Sequence, residues 1–344
     1  MGWLRRGRIG LWSGLVVGWL WLSMGACQGS GLPAVRAVDP AAPSAPPPAL
    51  SAAPVRVAAI GDYGTGAAAA ADVAQQVQSW NPDIVITLGD NNYPDGEAHT
   101  IDRNIGQFYH MFIAPYPGTY GPGADRNRFY PSLGNHDWRS ITCQGDRCTG
   151  PYLDYFTLPG NERYYDFVVG PLHFFAVDSD PREPHGRGAS SRQARWLQQA
   201  LGRSTAPWQI VYMHHTIYSS SLHGSDPTLQ WPYREWGADL VLTGHDHTYE
   251  RLRVDGLTYI VNGMGGAAIR GFGTPVAGSQ VRFNGDHGAL LIQATDTLLE
   301  VRFITRKGTE IDRWTLRRDC PAAPTGTLLA QRCSSLWLPW IVRP

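Results

Sequence analysis

Four short apolar runs in this chain each end on a residue able to bind a metal ion, and that repetition restricts the fold more than any other feature. Val55 to Ile60 leads into Gly61-Asp62, Ile84 to Leu88 into Gly89-Asp90, Trp208 to Met213 into His214, and Leu240 to Leu242 towards Gly244-His245. A short apolar run bounded by glycine and polar turn residues reads as a buried strand. Between the first two runs, the alanine-rich stretch Ala67 to Trp80 has a helical pattern, so the domain opens with a strand, helix, strand unit. Such alternation predicts an α/β fold, and open α/β sheets bind ligands at the carboxyl ends of their strands. Asp62, Asp90, His214 and His245 would then gather on one sheet edge.

Tyr164 to Val169 and Leu172 to Val177, joined at Gly170-Pro171, read as a hairpin, and Ser190 to Leu201 as a helix. After Tyr249 the turn pairs Asp255-Gly256, Asn262-Gly263, Asn284-Gly285 and Asp296-Thr297 separate apolar stretches up to Ile304, which predicts successive hairpins. Pro94 to Ser132 reads as a long loop rich in glycine, proline and tyrosine. With 29 lysines and arginines against 29 aspartates and glutamates, the chain has no basic field for a polyanion. Nucleic acid is therefore not an expected partner, and any phosphate recognition has to be local to a site.

Residues 1–27 read as an export signal: Arg5, Arg6 and Arg8 precede an apolar run from Ile9 to Leu22, and small residues then lead to Cys27. Met24-Gly25-Ala26-Cys27 resembles a bacterial lipoprotein box, which predicts a lipid on Cys27, an N-terminal membrane anchor and a periplasmic or cell-surface location. Ordinary cleavage near Ala26 and an uncleaved anchor are the alternatives. Residues 28–54 form a proline- and alanine-rich linker, residues 55–318 the folded domain, and residues 319–344 a C-terminal extension. Cys143 with Cys148, and Cys320 with Cys333, are near neighbours that an exported chain is expected to join as disulfides; a zinc cluster is the rival reading.

Five motifs carry the chemistry, in chain order: Gly61-Asp62-Tyr63-Gly64, Gly89-Asp90-Asn91-Asn92-Tyr93, Gly134-Asn135-His136-Asp137, Val211-Tyr212-Met213-His214 and Gly244-His245-Asp246-His247. Aspartates offer hard oxygen ligands and a bridge, Asn135 a neutral amide oxygen, and His214, His245 and His247 imidazoles, which is the inventory two adjacent metal ions need. Each step alone is ordinary turn chemistry. Together, from Val55 to about Ile304, the chain resembles the calcineurin-like metallophosphoesterases and, within them, the purple acid phosphatases.

The resemblance implies two stacked mixed β-sheets flanked by helices, with a dinuclear site at the strand C-terminal edge. It implies a first metal on Asp62, Tyr93 and His247, a second on Asn135, His214 and His245, and Asp90 bridging both. Tyr93 marks the purple acid phosphatase branch, because a phenol with a pKa of about 10 becomes a phenolate ligand only beside a strongly acidic ion. Fe(III) is therefore expected at Tyr93, and a divalent Fe, Zn or Mn ion at the other position. The implied reaction is hydrolysis of a small phosphomonoester by metal-activated hydroxide, useful below neutral pH. A phosphodiesterase or nucleotidase of the same superfamily is the alternative, and a non-catalytic phosphate-binding lipoprotein the rival of another class.

His136 and His223 occupy positions that resemble the family's substrate-facing histidines and would bind phosphate or protonate the leaving alkoxide. His215 either lines the site or packs beside it. Asp137 and Asp246 would orient neighbouring histidines or loops. Arg270, in the glycine-rich Gly263 to Gly273 segment, is a further candidate phosphate contact, and Thr216 stands where the family commonly has proline.

Overall fold

Period-two alternation along the central strands sends successive side chains into two different apolar layers, and this builds the architecture. The computed structural model describes residues 53–318. Its strands are β1 (Val55–Ile60), β2 (Ile84–Thr87), β3 (Phe129–Pro131), β4 (Thr142–Gln144), β5 (Arg147–Thr149), β6 (Tyr165–Val169), β7 (Leu172–Ala176) and β8 (Trp208–Tyr212). They continue with β9 (Leu240–Thr243), β10 (Tyr249–Val254), β11 (Leu257–Asn262), β12 (Ser279–Phe283), β13 (Gly288–Ala294), β14 (Leu298–Thr305) and β15 (Glu310–Arg317).

Both large sheets are mixed. The first has the order β15-β14-β13-β1-β2-β3, with β1, β2 and β3 parallel. The second has the order β12-β10-β11-β9-β8-β7-β6, with β7, β8, β9 and β11 parallel. Phe174, Tyr212, Leu240, Leu242 and Ile260 of the second sheet share one buried core with Val57, Ala59, Ile86 and Leu290 of the first. Their sequence neighbours Phe175, Val211, Val241 and Val261 face the other way, onto Leu197 and Leu201 of the helix Arg192–Arg203. The helix Ala68–Ser79 buries Val73, Ala74 and Val77 in the shared core. Each large aliphatic side chain so buried contributes about 1.5 to 3 kcal/mol. The helix Arg192–Arg203 starts where Ser191 accepts a hydrogen bond from the Ala194 N–H, an N-cap that its sequence supplies.

The strand ends are brought level by register. β1 and β2 run in parallel with Ile60 opposite Thr87, so Asp62 and Asp90 emerge on the same side. β8 and β9 run in parallel with Tyr212 opposite Leu242, which aligns His214 with the Gly244-His245 step. A bond between the sheets joins the two edges, because the Leu88 carbonyl lies 2.8 Å from His214 Nδ1.

Three expectations change. Asn284-Gly285 does not close a hairpin: β12 belongs to the second sheet and β13 to the first, so this turn carries the chain between sheets. Asn262 is the buried last residue of β11, and a long loop rather than a tight turn follows it. The Pro94–Ser132 stretch is partly helical, over Ala98–Ile101, Asp102–Gly106 and Gln107–Tyr109, because Ile101, Ile105 and Tyr109 recur at i, i+4 spacing and bury one face. Cys143 is bonded to Cys148 across the β4–β5 hairpin. The export signal with Cys27, nearly all of the linker, and the C-terminal extension with Cys320 and Cys333 lie outside the described residues. Among the described residues no helix is long and apolar enough to cross a membrane.

Candidate metal centre

The turns that end the strands hold their backbone in a conformation most residues avoid. Asp62, Asp90 and His245 have φ of 54°, 52° and 67°. They are three of the six non-glycine residues with positive φ among those described, so backbone strain is concentrated here. The glycine before a ligand is needed for close approach. A Cβ on Gly89 would lie 2.5 Å from the His214 Cβ, and one on Gly134 would lie 2.2 Å from the Asp90 nitrogen.

The side chains form two donor sets that meet at one carboxylate. In the first, Tyr93 Oη is 2.9 Å from Asp90 Oδ2, 3.2 Å from Asp62 Oδ1 and 3.4 Å from His247 Nε2. His247 Nε2 is itself 3.2 Å from Asp62 Oδ1. In the second, His214 Nε2 is 3.3 Å from Asp90 Oδ1, 3.0 Å from Asn135 Oδ1 and 3.1 Å from His245 Nδ1. Asp62, Asp90 and His214 each present one ligand atom within 4.8 Å of the others, which ties the sets together. With metal–ligand bonds of about 2.0 to 2.1 Å, neighbouring donors on one ion should stand about 2.9 to 3.4 Å apart. The measured separations fall in that range, so the residues present fit a pair of ions.

Ring orientation is fixed from behind, as a metal site requires. His214 directs Nδ1 at the Leu88 carbonyl, and His247 directs Nδ1 at the Ala268 carbonyl 2.8 Å away, which leaves both Nε2 atoms facing the centre. Asp62 Oδ2 accepts from the His245 N–H at 2.9 Å. Electrostatics match this packing of like groups. Burial disfavours the charged form of His214, but the Asp90 and Asp62 charges outweigh it and push this imidazole up to about 10. Burial, then His214 and His215, drive His245 far down. Burial, followed by the Asp62 and Asp90 charges, raises the Tyr93 phenol well above its ordinary value. It stays protonated and donates to the carboxylates until a cation offsets their charge.

The remaining predicted residues surround these sets. His136 donates its backbone N–H to Asp90 Oδ1 at 2.9 Å, and its ring lies 4.3 Å from that of Tyr93. The His136 Nδ1 is held on the Pro94 carbonyl, and Nε2 lies 3.9 Å from Asp90 Oδ2. His223 stacks on His245 with centroids 4.0 Å apart. His215 is a packing residue bound to Ser179 Oγ at 2.9 Å, and burial followed by His214 pushes it down to about 3. Asp137 accepts from the N–H groups of Asn91, Asn92 and Gly134 and so shapes the turn carrying Asp90 and Tyr93. Asp246 accepts from Ser219 Oγ and from the His223 N–H, which fixes the loop bearing His223.

Sequence reasoning missed one contact. Arg270 Nη1 is hydrogen-bonded to His223 Nε2. Arginine has only donors, so His223 accepts there and carries its proton on Nδ1. The two residues are 47 positions apart, and no local signal links them.

The chain matches the calcineurin-like phosphoesterase family over residues 55–249, and it belongs to that family. Its curated relatives narrow the comparison. It is 29% identical over 263 residues to purple acid phosphatase 17 of Arabidopsis thaliana, covering 67% of this chain and 73% of that protein. It is 25% identical over 295 residues to purple acid phosphatase 4 of the same plant, covering 74% and 81%. It is 25% identical over 254 residues to tartrate-resistant acid phosphatase type 5 of Mus musculus, covering 64% and 74%. Among solved structures, the purple acid phosphatase PPD1 from yellow lupin (Lupinus luteus) seeds is similar at a TM-score of 0.60 and 21% identity, covering 83% of this chain and 58% of that one. GAP50, the anchor in the inner membrane complex of Plasmodium, is similar at a TM-score of 0.58 and 17% identity, covering 79% and 91%. The structural likenesses establish the fold of two stacked mixed sheets flanked by helices.

Proposed function

We propose that this chain is an exported acid phosphatase of the purple type, hydrolysing small phosphomonoesters. Fe(III) would sit with Asp62, Tyr93 and His247, and divalent Fe, Zn or Mn with Asn135, His214 and His245. The observation that carries the reading is the division of Asp90, whose Oδ2 lies with the tyrosine set and whose Oδ1 lies with the amide and histidine set. The names of the curated relatives support it. When bound, two such ions supply Lewis acidity, an acidified water and a clamp for phosphoryl oxygens.

The protein's own groups divide the remaining work. The charges of Asp62, Asp90 and an ionised Tyr93 offset only part of the ionic charge, so the loaded centre stays attractive to a phosphate anion. His136, anchored through Nδ1 to Pro94, presents Nε2 to the centre and in its doubly protonated form can protonate a leaving alkoxide. His223 cannot donate from Nε2 while Arg270 occupies that atom; once that contact is released, a proton on Nε2 lets it bind phosphate or protonate the leaving alkoxide.

A visible spectrum with metal analysis tests the assignment. A broad phenolate-to-iron charge-transfer band is expected, and Tyr93→Phe should abolish it; a colourless, fully active zinc or manganese enzyme overturns the ferric site. Faster hydrolysis of 4-nitrophenyl phosphate than of bis(4-nitrophenyl) phosphate is expected, whereas the reverse selects the phosphodiesterase reading. Mass spectrometry of the mature N-terminus decides between lipid on Cys27 and plain cleavage near Ala26.

A further inference from the structure

We propose that Arg270 is a substrate-binding residue, whose guanidinium rests on His223 in the free enzyme and moves onto the oxygens of the phosphate group held at the centre. The proposal rests on the phosphatase reading above and adds to it a residue outside the metal-ligand set.

The backbone of Arg270 is tied to the site from both sides. Its N–H donates to the carbonyl of His247 at 3.0 Å, and its carbonyl accepts from Asn284 Nδ2 at 2.9 Å. The following residues are clipped to the loop that carries His223. Ser221 Oγ donates to the Gly271 carbonyl at 2.9 Å, Ser221 pairs with Phe272 in an isolated bridge, and Gly273 N–H donates to the Ser220 carbonyl at 2.7 Å. The two loops therefore form one rim. From it the half-buried Arg270 side chain reaches His223, and His223 stacks on His245 of the second donor set.

The chemistry of that resting contact is incomplete. A guanidinium is permanently charged and carries five N–H donors in a planar fork. Arg182, Arg187 and Arg251 are each neutralised by a carboxylate, on Asp180, Asp226 and Asp312. Among the described residues Arg270 makes no such ion pair, and its side chain rests on a neutral imidazole nitrogen. The resting bond joins a charged donor to a neutral acceptor, whereas phosphate brings an opposite charge and two oxygens that match the guanidinium fork, so exchange of His223 for a phosphate oxygen is favourable. No proton has to move in the exchange.

A contact made equally in the bound substrate and in the transition state lowers KM and leaves kcat alone. The test titrates inorganic phosphate into metal-loaded protein by calorimetry and measures 4-nitrophenyl phosphate hydrolysis. It compares wild type, Arg270→Gln, Arg270→Lys and, as a control, Arg282→Gln, whose guanidinium lies 5.4 Å above the Phe272 ring on the same rim. Arg270→Gln should raise the phosphate Kd and the KM about tenfold, equivalent to about 1.4 kcal/mol, with kcat within about twofold of wild type. Arg270→Lys should recover part of the loss, since it keeps the charge but not the fork. Arg282→Gln should match wild type. Unchanged Kd and KM in Arg270→Gln overturn the proposal and leave the phosphatase reading standing. A fall in kcat with Kd unchanged also overturns it, because Arg270 then only positions His223. Wild-type protein that binds no phosphate and hydrolyses no ester overturns both. Should the glutamine variant not fold, Arg270→Lys carries the test: a severalfold rise in Kd is expected, and none overturns the proposal.

Discussion

Asp246 lies between two candidate ligands, yet its carboxylate faces away from the donor sets, and its replacement separates loop control from metal binding. The side chain is fully buried; Oδ2 accepts from Ser219 Oγ at 2.5 Å and Oδ1 from the His223 N–H at 3.0 Å. Alanine would strand both donors, at about 1 to 3 kcal/mol for each buried group left unpaired. The serine hydroxyl can turn to another acceptor, so a net loss of about 3 kcal/mol is expected, or about 6 °C in Tm for a folded region of this size. Asparagine keeps an acceptor for the His223 N–H and presents its NH₂ to Ser219 Oγ, so it should cost about 1 kcal/mol. His245 and His247 keep their own supports on Asp62 and on the Ala268 carbonyl, so metal content should stay at the wild-type level in both variants. A loosened His223 loop should lower kcat/KM at least about tenfold in Asp246→Ala, with Asp246→Asn close to wild type. Thermal melting, metal analysis and steady-state kinetics on the three proteins decide the matter. An alanine variant as active as wild type would refute the reasoning, and so would an asparagine variant as poor as alanine.

Gly89→Ala should be among the most damaging single-methyl changes in the protein, because the new Cβ meets His214 and the position has φ of 80°. A loss of about 2 to 4 kcal/mol is expected from the clash and the left-handed backbone, with a deficit of metal by elemental analysis; full metal occupancy and an unchanged Tm would contradict it. Asp102 accepts from Tyr116, Thr119 and Tyr155; burial acts to raise its pKa, but these bonds outweigh it and hold the carboxyl below its ordinary range. A depressed acid contributes stability that is present above about pH 3.9 and is lost as pH falls through the folded-state value. Asp102→Asn should therefore melt below wild type by about 1 kcal/mol at neutral pH, with the gap closing under acid; a gap independent of pH would count against the assignment.

What was legible in the sequence followed from local pattern. Asp62, Asp90, His214 and His245 could be placed on one edge because each follows a short buried run, and parallel registers between those runs bring them level. The helix read at Ser190 to Leu201 forms over Arg192–Arg203, two residues later at each end, because Ser191 caps its first turn. The rest depended on pairings between distant segments. β15, with Trp314 and Leu316 turned into the core and the charged residues Glu310, Asp312, Arg313 and Arg317 on either side of them, lacks the continuous apolar run that marked the earlier strands. The Asn284-Gly285 turn has hairpin chemistry, but whether it joins neighbours or crosses between sheets is decided by partners elsewhere in the chain. The meeting of Arg270 with His223 belongs to the same class, since two loops had to be clipped together before either side chain had a direction.

The left-handed backbone at Asp62, Asp90 and His245 bears on how such a chain can change over generations. Each of these residues occupies a conformation that costs an ordinary L-amino acid about 1 to 2 kcal/mol and glycine almost nothing. Glycine substitution there would relax the main chain and delete a donor in one step. At Asp62 and Asp90 that relief is opposed by the loss of the acceptors for the His245 and His136 N–H groups, so selection for heat resistance alone would erode the centre first at His245, and a screen that scores melting without scoring metal would reward that loss.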